Sequence, residues 1–406
     1  MTSTQNVIFI YLVNFIINVN PNPVDNGATI ETKQLLSILR SFSKDTHRFL
    51  FGQHKATMTG CEGGHSPYSI HKRNNHTSWT FTEGQVNIHS EDKLCDIKDL
   101  TGEYPSVIGF DLGDLSSRSL AIQKYLIKRA ANRGLIVTVS WHMRNPLNGG
   151  SPWTTDDHSH TNLSHTVRRL LDGGDNHLKF KQVLNQAADF FLSLHDAKGN
   201  LIPVLFRPFH EMDGNWFWWG TGNRVQNTPD DYKRLFRLIV HHMRDIRKVH
   251  NLLYVYSPSK TNDKENYLQF YPGDSSVDVL GYDYYFKAPF SPAITDFQSR
   301  IAHIADLAKS KGKSAAISEI GITSSGLQKH HRFWTDHVLT QILSLKNASI
   351  SYIMAWMNQC GAHSDVVRVP YRGHEASSEF LKFYHHAATI FGSEMKRISI
   401  VPQIVG

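Results

Sequence analysis

The chain has 406 residues, a formal net charge of +7, and apolar, charged and aromatic fractions of 40%, 19% and 11%. The apolar fraction is too high for a disordered chain, and no apolar run long enough for a membrane span follows the first twenty residues. The basic excess is not gathered into lysine and arginine blocks, so we expect neither nucleic acid nor a membrane as a partner.

The N-terminus carries an apolar run, VIFIYLVNFIINV, at residues 7–19. It resembles the hydrophobic region of a signal peptide, and an N-terminal strand packed under the domain is the alternative. No lysine or arginine precedes the run, and no small-residue cleavage site is evident before Pro21. We interpret residues 1–20 as a signal peptide and expect secretion, with which the sequons at Asn75, Asn162 and Asn347 are compatible.

Strand-like and helix-like segments alternate along the rest of the chain. Several strand candidates are apolar without alternation, which is typical of strands buried on both faces. The predicted strands are Phe49–Gly52, Ser106–Gly113, Leu135–His142, Ile202–Phe209, Leu252–Ser257, Val277–Tyr284, Ala315–Ile320 and Tyr352–Met357. The predicted helices are Thr32–Phe42, Ser119–Asn132, Asn176–Asp196, Pro229–His250, Asp296–Lys311, Phe333–Lys346 and Ser377–Phe391.

This alternation predicts an α/β fold, a (β/α)8 TIM barrel with long loops at its C-terminal face, formed by residues 21–406 as a single domain. An open doubly wound sheet is the alternative. Such a sheet typically carries a glycine-rich phosphate loop after its first strand, whereas this chain has FGQHKA at residues 51–56.

Three cysteines, Cys61, Cys95 and Cys360, are too few for a disulfide scaffold. Cys61 and Cys95 fall in one irregular stretch and could pair, which would leave Cys360 over. The alternative is three unpaired thiols.

Aromatic and ionisable residues are concentrated where the predicted strands end, which is where barrel enzymes place their chemistry. These ends carry Gln53-His54, Asp111, Trp141-His142, Arg207 to Glu211, Ser257, Asp283 to Tyr285, Ser318-Glu319 and Trp356 to Gln359. Trp216 follows the fourth strand, and Trp79 and Trp153 lie in long loops. Indole rings at a rim suit the C–H faces of sugar rings.

Glu211 and Glu319 end the fourth and seventh predicted strands, which face one another across a barrel mouth. Each carboxyl follows an apolar strand, where it is costly unless it is hydrogen-bonded or used. Two carboxyls on either side of a scissile bond are what glycoside hydrolysis requires. A structural role for both as paired rim carboxylates is the alternative.

These residues also carry a resemblance to a known family. The segment FRPFHEMDGNW at residues 206–216 resembles the acid/base motif of glycoside hydrolase family 26, whose members are mostly endo-β-1,4-mannanases. In particular, His before the acid/base, as in His210-Glu211, is typical of this family. The segments ISEIG at 317–321 and FGQH at 51–54 are similar to its nucleophile and first-strand motifs.

The resemblance implies a role for each matching residue. Glu211 is expected to be the general acid/base and Glu319 the nucleophile of a retaining reaction. Arg207 is expected to hold a carboxylate, Tyr285 to donate to Glu319, and His210 to hydrogen-bond the substrate. The remaining expected sugar contacts are His142, Trp216, Asp283 and Trp356, with Trp153, Trp79, His65 and His54 farther out.

The sequence therefore predicts a glycoside hydrolase that binds β-mannan polysaccharide or manno-oligosaccharides and needs no cofactor and no metal. An endo-β-glucanase or xylanase on the same fold is the first alternative. A metal-dependent hydrolase is the second, because 24 histidines are present and His54, His142 and His210 fall at strand ends, although no ligand motif such as H-E-x-x-H occurs. A non-catalytic glycan-binding protein is the third.

Overall fold

A computed structural model describes residues 23–45, 47–61, 79–82, 85–88, 95–156, 161–287, 290–323, 326–360 and 366–400. In this part of the chain, eight parallel strands close into a barrel. They are β1 (Phe49–His54), β2 (Val107–Asp111), β3 (Ile136–Trp141), β4 (Val204–Pro208), β5 (Leu252–Tyr256), β6 (Val279–Phe286), β7 (Ser314–Ile322) and β8 (Tyr352–Ala355). Leu50 pairs with Tyr352 and Gln53 with Ala355, which closes β8 onto β1. The predicted (β/α)8 barrel is confirmed.

Helices follow the strands and cover the barrel. Those described are α1 (Ile30–Phe42), α2 (Asp96–Thr101), α3 (Ser117–Asn132), α4 (Thr166–Leu170), α5 (His177–Leu192), α6 (Pro229–His241), α7 (Lys264–Gln269), α8 (Phe290–Ser310), α9 (Thr340–Ser344), α10 (Ser377–Tyr384) and α11 (Gly392–Ile400). A π-helical turn, His242–Ile246, continues α6, and another, Phe333–Leu339, precedes α9. Within the described ranges, none of the helices is long and apolar enough to cross a membrane.

Among the differences from the prediction, two concern strands. The last predicted helix ends at Tyr384, and Thr389–Ile390 instead forms a short strand beside β1. The Thr389 hydroxyl donates to the Phe383 carbonyl at 2.7 Å, which satisfies a carbonyl at the end of α10. In addition, Trp79–Thr82 and Gln85–Ile88 form an unpredicted antiparallel pair in the stretch between β1 and β2.

The barrel interior is closed at the end where the strands begin. Apolar residues near the strand starts, such as Leu50, Val107 and Leu253, form one buried cluster with Leu36 and Leu39 of α1. A larger cluster fills the space between the strands and the outer helices. Because α1 covers the N-terminal end, the polar residues at the C-terminal ends of the strands line the open mouth.

A disulfide joins Cys61 to Cys360, whose Cα atoms are 5.4 Å apart. Both alternatives left open by the sequence, a bridge from Cys61 to Cys95 and three unpaired thiols, are wrong, because barrel closure places the loops after β1 and β8 side by side. Cys95 remains a buried free thiol, and burial raises its pKa to about 12. Asp96 reinforces the junction, accepting from the Cys61 backbone N–H at 2.9 Å and from Asn358 Nδ2 at 2.8 Å.

We expect the Cys61→Ser/Cys360→Ser variant to lose about 2–4 kcal/mol of unfolding free energy, because the cross-link constrains the unfolded chain. Denaturant unfolding with and without reductant measures this loss. Reductant should destabilise the wild type and the control variant Cys95→Ala to a similar extent and leave the double variant unchanged. A wild type that is insensitive to reductant would contradict the assignment.

Candidate active site

The turn after β4 presents Glu211 to the barrel mouth. Phe209 and Glu211 both adopt left-handed backbone conformations, each with φ of 52°, which non-glycine residues rarely adopt. Three hydrogen bonds hold the turn. The Tyr232 hydroxyl donates to the Phe209 carbonyl (3.1 Å), and Trp219 Nε1 donates to the His210 carbonyl (2.7 Å). The Glu211 N–H donates to the Ser257 carbonyl (2.8 Å). Neighbouring elements therefore stabilise a strained turn that aims the carboxyl.

Glu319, near the middle of β7, is held by two donors on different strands. The buried guanidinium of Arg207 donates from Nη2 to Glu319 Oε1, and the Tyr285 hydroxyl donates to Oε2 at 2.6 Å. Burial and the charge of Glu319 raise the pKa of Tyr285, so this hydroxyl stays protonated and donating. Both oxygens of Glu319 therefore accept hydrogen bonds, and the two donors fix the orientation of this carboxyl group.

Arg207 connects this carboxylate to a second one. Its Nη1 donates to Asp283 Oδ2 at 2.7 Å, and the other oxygen of Asp283 accepts from the Ser318 hydroxyl at 2.7 Å. Burial disfavours the charge on Arg207, but Asp283 and Glu319 outweigh it and raise the pKa of the guanidinium. The expected role of Arg207 as a carboxylate holder agrees with this geometry.

Glu211 lies in a different environment. It is 9% exposed, and its Oε2 accepts from Trp216 Nε1 at 2.9 Å. Burial raises the pKa of Glu211 well above its usual value, and the charges of Glu319 and Asp283 raise it further, whereas Arg207 and Trp216 oppose the shift. Of the two carboxyls, Glu211 is therefore the one suited to carry a proton at neutral pH.

We expect Trp216→Phe to move the alkaline limb of the kcat/KM pH profile to higher pH. The indole N–H stabilises the carboxylate form of Glu211, so its loss raises the pKa of that carboxyl further. Trp153→Phe is the matched control, because Trp153 makes no hydrogen bond to Glu211 and should change only the height of the profile. A limb that stays in place in Trp216→Phe, or moves to lower pH, would contradict the assignment of Glu211 as the acid.

His142 and His210 lie side by side, with ring centroids 4.5 Å apart. His210 Nε2 is 3.7 Å from Glu319 Oε1, while its Nδ1 has no hydrogen-bond partner in the described part of the chain. Burial lowers the pKa of His210, and Arg207 lowers it further, so this imidazole is neutral. His142 Nδ1 contacts Asp111 Oδ2, and Ser140 donates to the same oxygen at 2.7 Å.

Asp111 lies at a predicted strand end, but nothing in the surrounding sequence indicates that it belongs to the site. Its Oδ1 accepts from the Gly113 N–H at 2.7 Å. Arg368 is a second addition. Its guanidinium lies 5.9 Å from the centre of the Tyr285 ring and donates to the Met357 carbonyl at 2.9 Å. It falls outside every recognised motif, so only the fold could reveal it.

The indole of Trp356 lies flat on the imidazole of His54, at 4.0 Å with an interplanar angle of 2°. His54 is 1% exposed, and both its ring nitrogens lack hydrogen-bond partners among the described residues. Burial, with a contribution from Lys55, lowers its pKa, so the ring is neutral. His54 therefore supports Trp356 from behind, and Trp356 also approaches His142 at 5.7 Å.

The outer predicted contacts are placed less completely. Trp153 is 39% exposed and packs on Phe217 at the rim, with centroids 4.5 Å apart. The backbone of Trp79 belongs to the short antiparallel pair, but its side chain and all of His65 lie outside the described residues. Their predicted role in substrate binding stays a prediction.

His210, Asp283 and Glu319 bring potential metal-ligand atoms within 4.8 Å of one another. The Arg207 guanidinium already lies between the two carboxylates and donates to both. It supplies the positive charge that a metal ion would bring to these groups.

Comparisons with known proteins agree with this geometry. The sequence profile of glycosyl hydrolase family 26 matches residues 24–351. A mannan endo-1,4-beta-mannosidase of Bifidobacterium adolescentis is 31% identical over 89% of this chain, which spans about a third (34%) of that protein's length. A Bacillus subtilis protein of the same name is 29% identical over 66% of this chain and 68% of its own length.

Solved structures show the same relationship. A beta-mannanase of this family from Bacteroides ovatus superposes with a TM-score of 0.74 at 31% identity, over 90% of this chain and 96% of that one. The sequence profile covers the site residues from His54 to Glu319. The chain therefore belongs to glycosyl hydrolase family 26.

Proposed function

We propose that this chain hydrolyses β-1,4-mannosidic linkages within mannan, galactomannan or glucomannan, with retention of anomeric configuration. One observation carries the proposal. Two buried carboxyls share a barrel mouth in different environments: Glu319 accepts hydrogen bonds from Arg207 and Tyr285, and the pKa of Glu211 is raised. The names of the relatives support mannan as the polysaccharide.

In the first step, Glu319 attacks the anomeric carbon while Glu211 transfers its proton to the departing glycosidic oxygen. The C–O bond to the leaving sugar breaks as the ester bond to Glu319 forms. Arg207 and Tyr285 hydrogen-bond to the two oxygens of Glu319 and orient it before attack. Because the leaving oxygen must meet Glu211, the leaving sugar lies beside Trp216, whose indole N–H binds that carboxyl.

In the second step, Glu211 removes a proton from water, whose oxygen attacks the same carbon and releases Glu319 as a carboxylate. Esterification removes the negative charge of Glu319, which is one of the causes of the raised Glu211 pKa. The pKa of Glu211 therefore falls once the ester forms, and the same group changes from acid to base.

A polysaccharide panel tests the substrate. Mannan, galactomannan, glucomannan, xylan and mixed-linkage glucan are incubated with the enzyme, and reducing ends and product sizes are measured. We expect the highest rate on a mannan, internal cleavage products, and a β-anomer as the first product by NMR. Glu319→Ala on the same panel controls for contaminating activity. A preference for xylan or glucan, or loss of activity with a chelator, would overturn the substrate or the metal-free mechanism.

We also propose that the chain is secreted. The Cys61–Cys360 disulfide supports this, because disulfides persist mainly in oxidising compartments, and so does the apolar run at residues 7–19. Expression in the native host followed by assay of medium and cell fractions tests it. N-terminal sequencing of the extracellular chain would locate any cleavage. Activity confined to the cells would contradict secretion.

A further inference from the structure

A cavity of about 410 Å³ opens beside the catalytic centre, among the loops that follow β1, β2 and β3. We call it the side cavity, and its polar lining includes Lys55, Asp111, Asp114, His142, Arg144 and Ser151. His142 forms a shared wall, since its ring also packs against His210 beside Glu319. A volume of this size is within the range of small-ligand pockets, about 300–1,000 Å³.

Lys55 is the most unusual residue in this lining. It follows β1 in a left-handed conformation with φ of 51°, which is strained for a lysine. Lys55 is half-buried as a residue, and the described residues provide its ammonium with no hydrogen bond or ion pair, although its charge acts on Asp111. Strained backbone conformations concentrate at functional sites, and an ammonium offers three donors that need acceptors.

Asp111 does not serve as the acceptor for Lys55. Its Oδ2 already accepts from His142 and Ser140, and its Oδ1 accepts from the Gly113 N–H at 2.7 Å. Burial would raise the pKa of Asp111, but His142 outweighs it and holds the pKa well below the usual range. The Asp111–His142 pair is thus complete without Lys55.

The other polar groups of the side cavity also have hydrogen-bonding capacity to spare. Arg144 is exposed and, among the described residues, makes a single hydrogen bond, from Nη1 to the Gly149 carbonyl at 3.3 Å. Asp114 is exposed, and within the described ranges it accepts only from Ser116 in its own turn. The lining therefore contains two cations and two carboxylates, so it offers both donors and acceptors with little net charge. Such a lining suits the hydroxyls of a neutral sugar better than an anion.

We propose that the side cavity is a subsite for one neutral hexopyranosyl unit of the substrate, with Lys55 and Arg144 donating to its hydroxyls. This inference rests on the proposed function, because it places the sugar next to the mannan chain at His142. Two sources provide such a unit: a galactosyl side group on the backbone, or a further mannose of the backbone itself. The experiment separates them.

The test uses Lys55→Gly, Arg144→Ala and the double variant. Glycine adopts the left-handed conformation freely, so Lys55→Gly removes the side chain without new backbone strain. Lys309→Ala, on the exposed last turn of α8, is the matched control. We measure kcat/KM on three substrates: a galactosyl-substituted manno-oligosaccharide, its unsubstituted linear equivalent, and an activated aryl β-mannoside whose single sugar fills only the cleavage site.

We expect the double variant to lose about 10-fold or more on an extended substrate and to keep its kcat/KM and pH profile on the aryl mannoside. A loss confined to the galactosyl substrate assigns the cavity to the side group, and a loss on both oligosaccharides assigns it to the backbone. An equal loss on all three substrates, or no loss, overturns the proposal. A wild type that cleaves no mannan would instead overturn the proposed function.

Discussion

Glu319→Ala is expected to lower kcat on polymeric mannan by about 10⁴-fold or more, because the variant has no nucleophile to form the glycosyl-enzyme ester. The protein should remain folded, since alanine removes a buried carboxylate along with its desolvation cost. Arg207 keeps its bond to Asp283 at 2.7 Å, so the guanidinium retains a counter-charge. Reducing-end assays and far-UV circular dichroism check the two parts of this expectation.

Glu211→Ala should differ in a way that identifies the role of each carboxyl. With an aryl β-mannoside whose leaving group needs no proton, the Glu211 variant still forms the ester on Glu319 but deglycosylates slowly. Added azide then attacks the ester from the face opposite Glu319 and gives a β-mannosyl azide. In Glu319→Ala, azide takes the space of the missing carboxylate, displaces the aryl group directly and gives the α-azide.

Product stereochemistry by NMR distinguishes these outcomes. The same azide anomer from both variants, or a Glu319→Ala enzyme that retains wild-type turnover, would contradict the assignment. The wild type with azide is the control and should yield mannose rather than azide adduct, because Glu211 activates water. The test depends on a difference between the two carboxyls: Glu319 accepts a hydrogen bond from Tyr285, whereas Glu211 has a raised pKa.

The sequence could predict this contrast because barrel topology makes strand ends converge. Continuous apolar strands predicted the parallel sheet, and the residues at their ends, Arg207, Glu211, Asp283 and Glu319, meet at one mouth as expected. The resemblance of the segment around Glu211 to the family motif implied a role for each site residue. The observed hydrogen bond from Tyr285 to Glu319 agrees with one of these roles.

Other features depend on contacts that no sequence spacing encodes. Cys360 pairs with Cys61 because β8 closes onto β1. The two cysteines are 299 residues apart in sequence, so their spacing does not indicate that they are close in the fold. Asp111 lies at a strand end like many structural carboxylates, and its bond to His142 alone distinguishes it. The environment of His54 is likewise not predictable from the sequence. A histidine at a strand end can contact the substrate or, as here, stack on an indole.

Arg207→Met is expected to have the largest effect on stability. Arg207 and Asp283 have fully buried side chains and that of Glu319 is 4% exposed, so the substitution leaves two carboxylates uncompensated. Removing one partner of a buried ion pair typically costs about 3–5 kcal/mol of unfolding free energy. Activity should fall as well, because Glu319 loses the donor on Oε1 that orients it.

The loss should depend on pH in a defined direction. A buried carboxyl without its cation favours the protonated form in the folded state, so it contributes stability at low pH and loses it as the pH rises. The deficit of Arg207→Met relative to wild type should therefore be greatest at neutral pH and smaller under acidic conditions. Adding Asp283→Asn removes one of the unpaired charges and should recover part of the deficit at neutral pH.

Denaturant unfolding at two pH values measures these differences. Arg332→Met is the matched control, because Arg332 pairs with Asp336 one helical turn away on the surface and both side chains are exposed. Its loss should be about 0.5 kcal/mol or less, with little pH dependence. If Arg207→Met lost no more than this control, the guanidinium would not be compensating the carboxylates. Another group would then have to compensate the burial of Asp283 and Glu319.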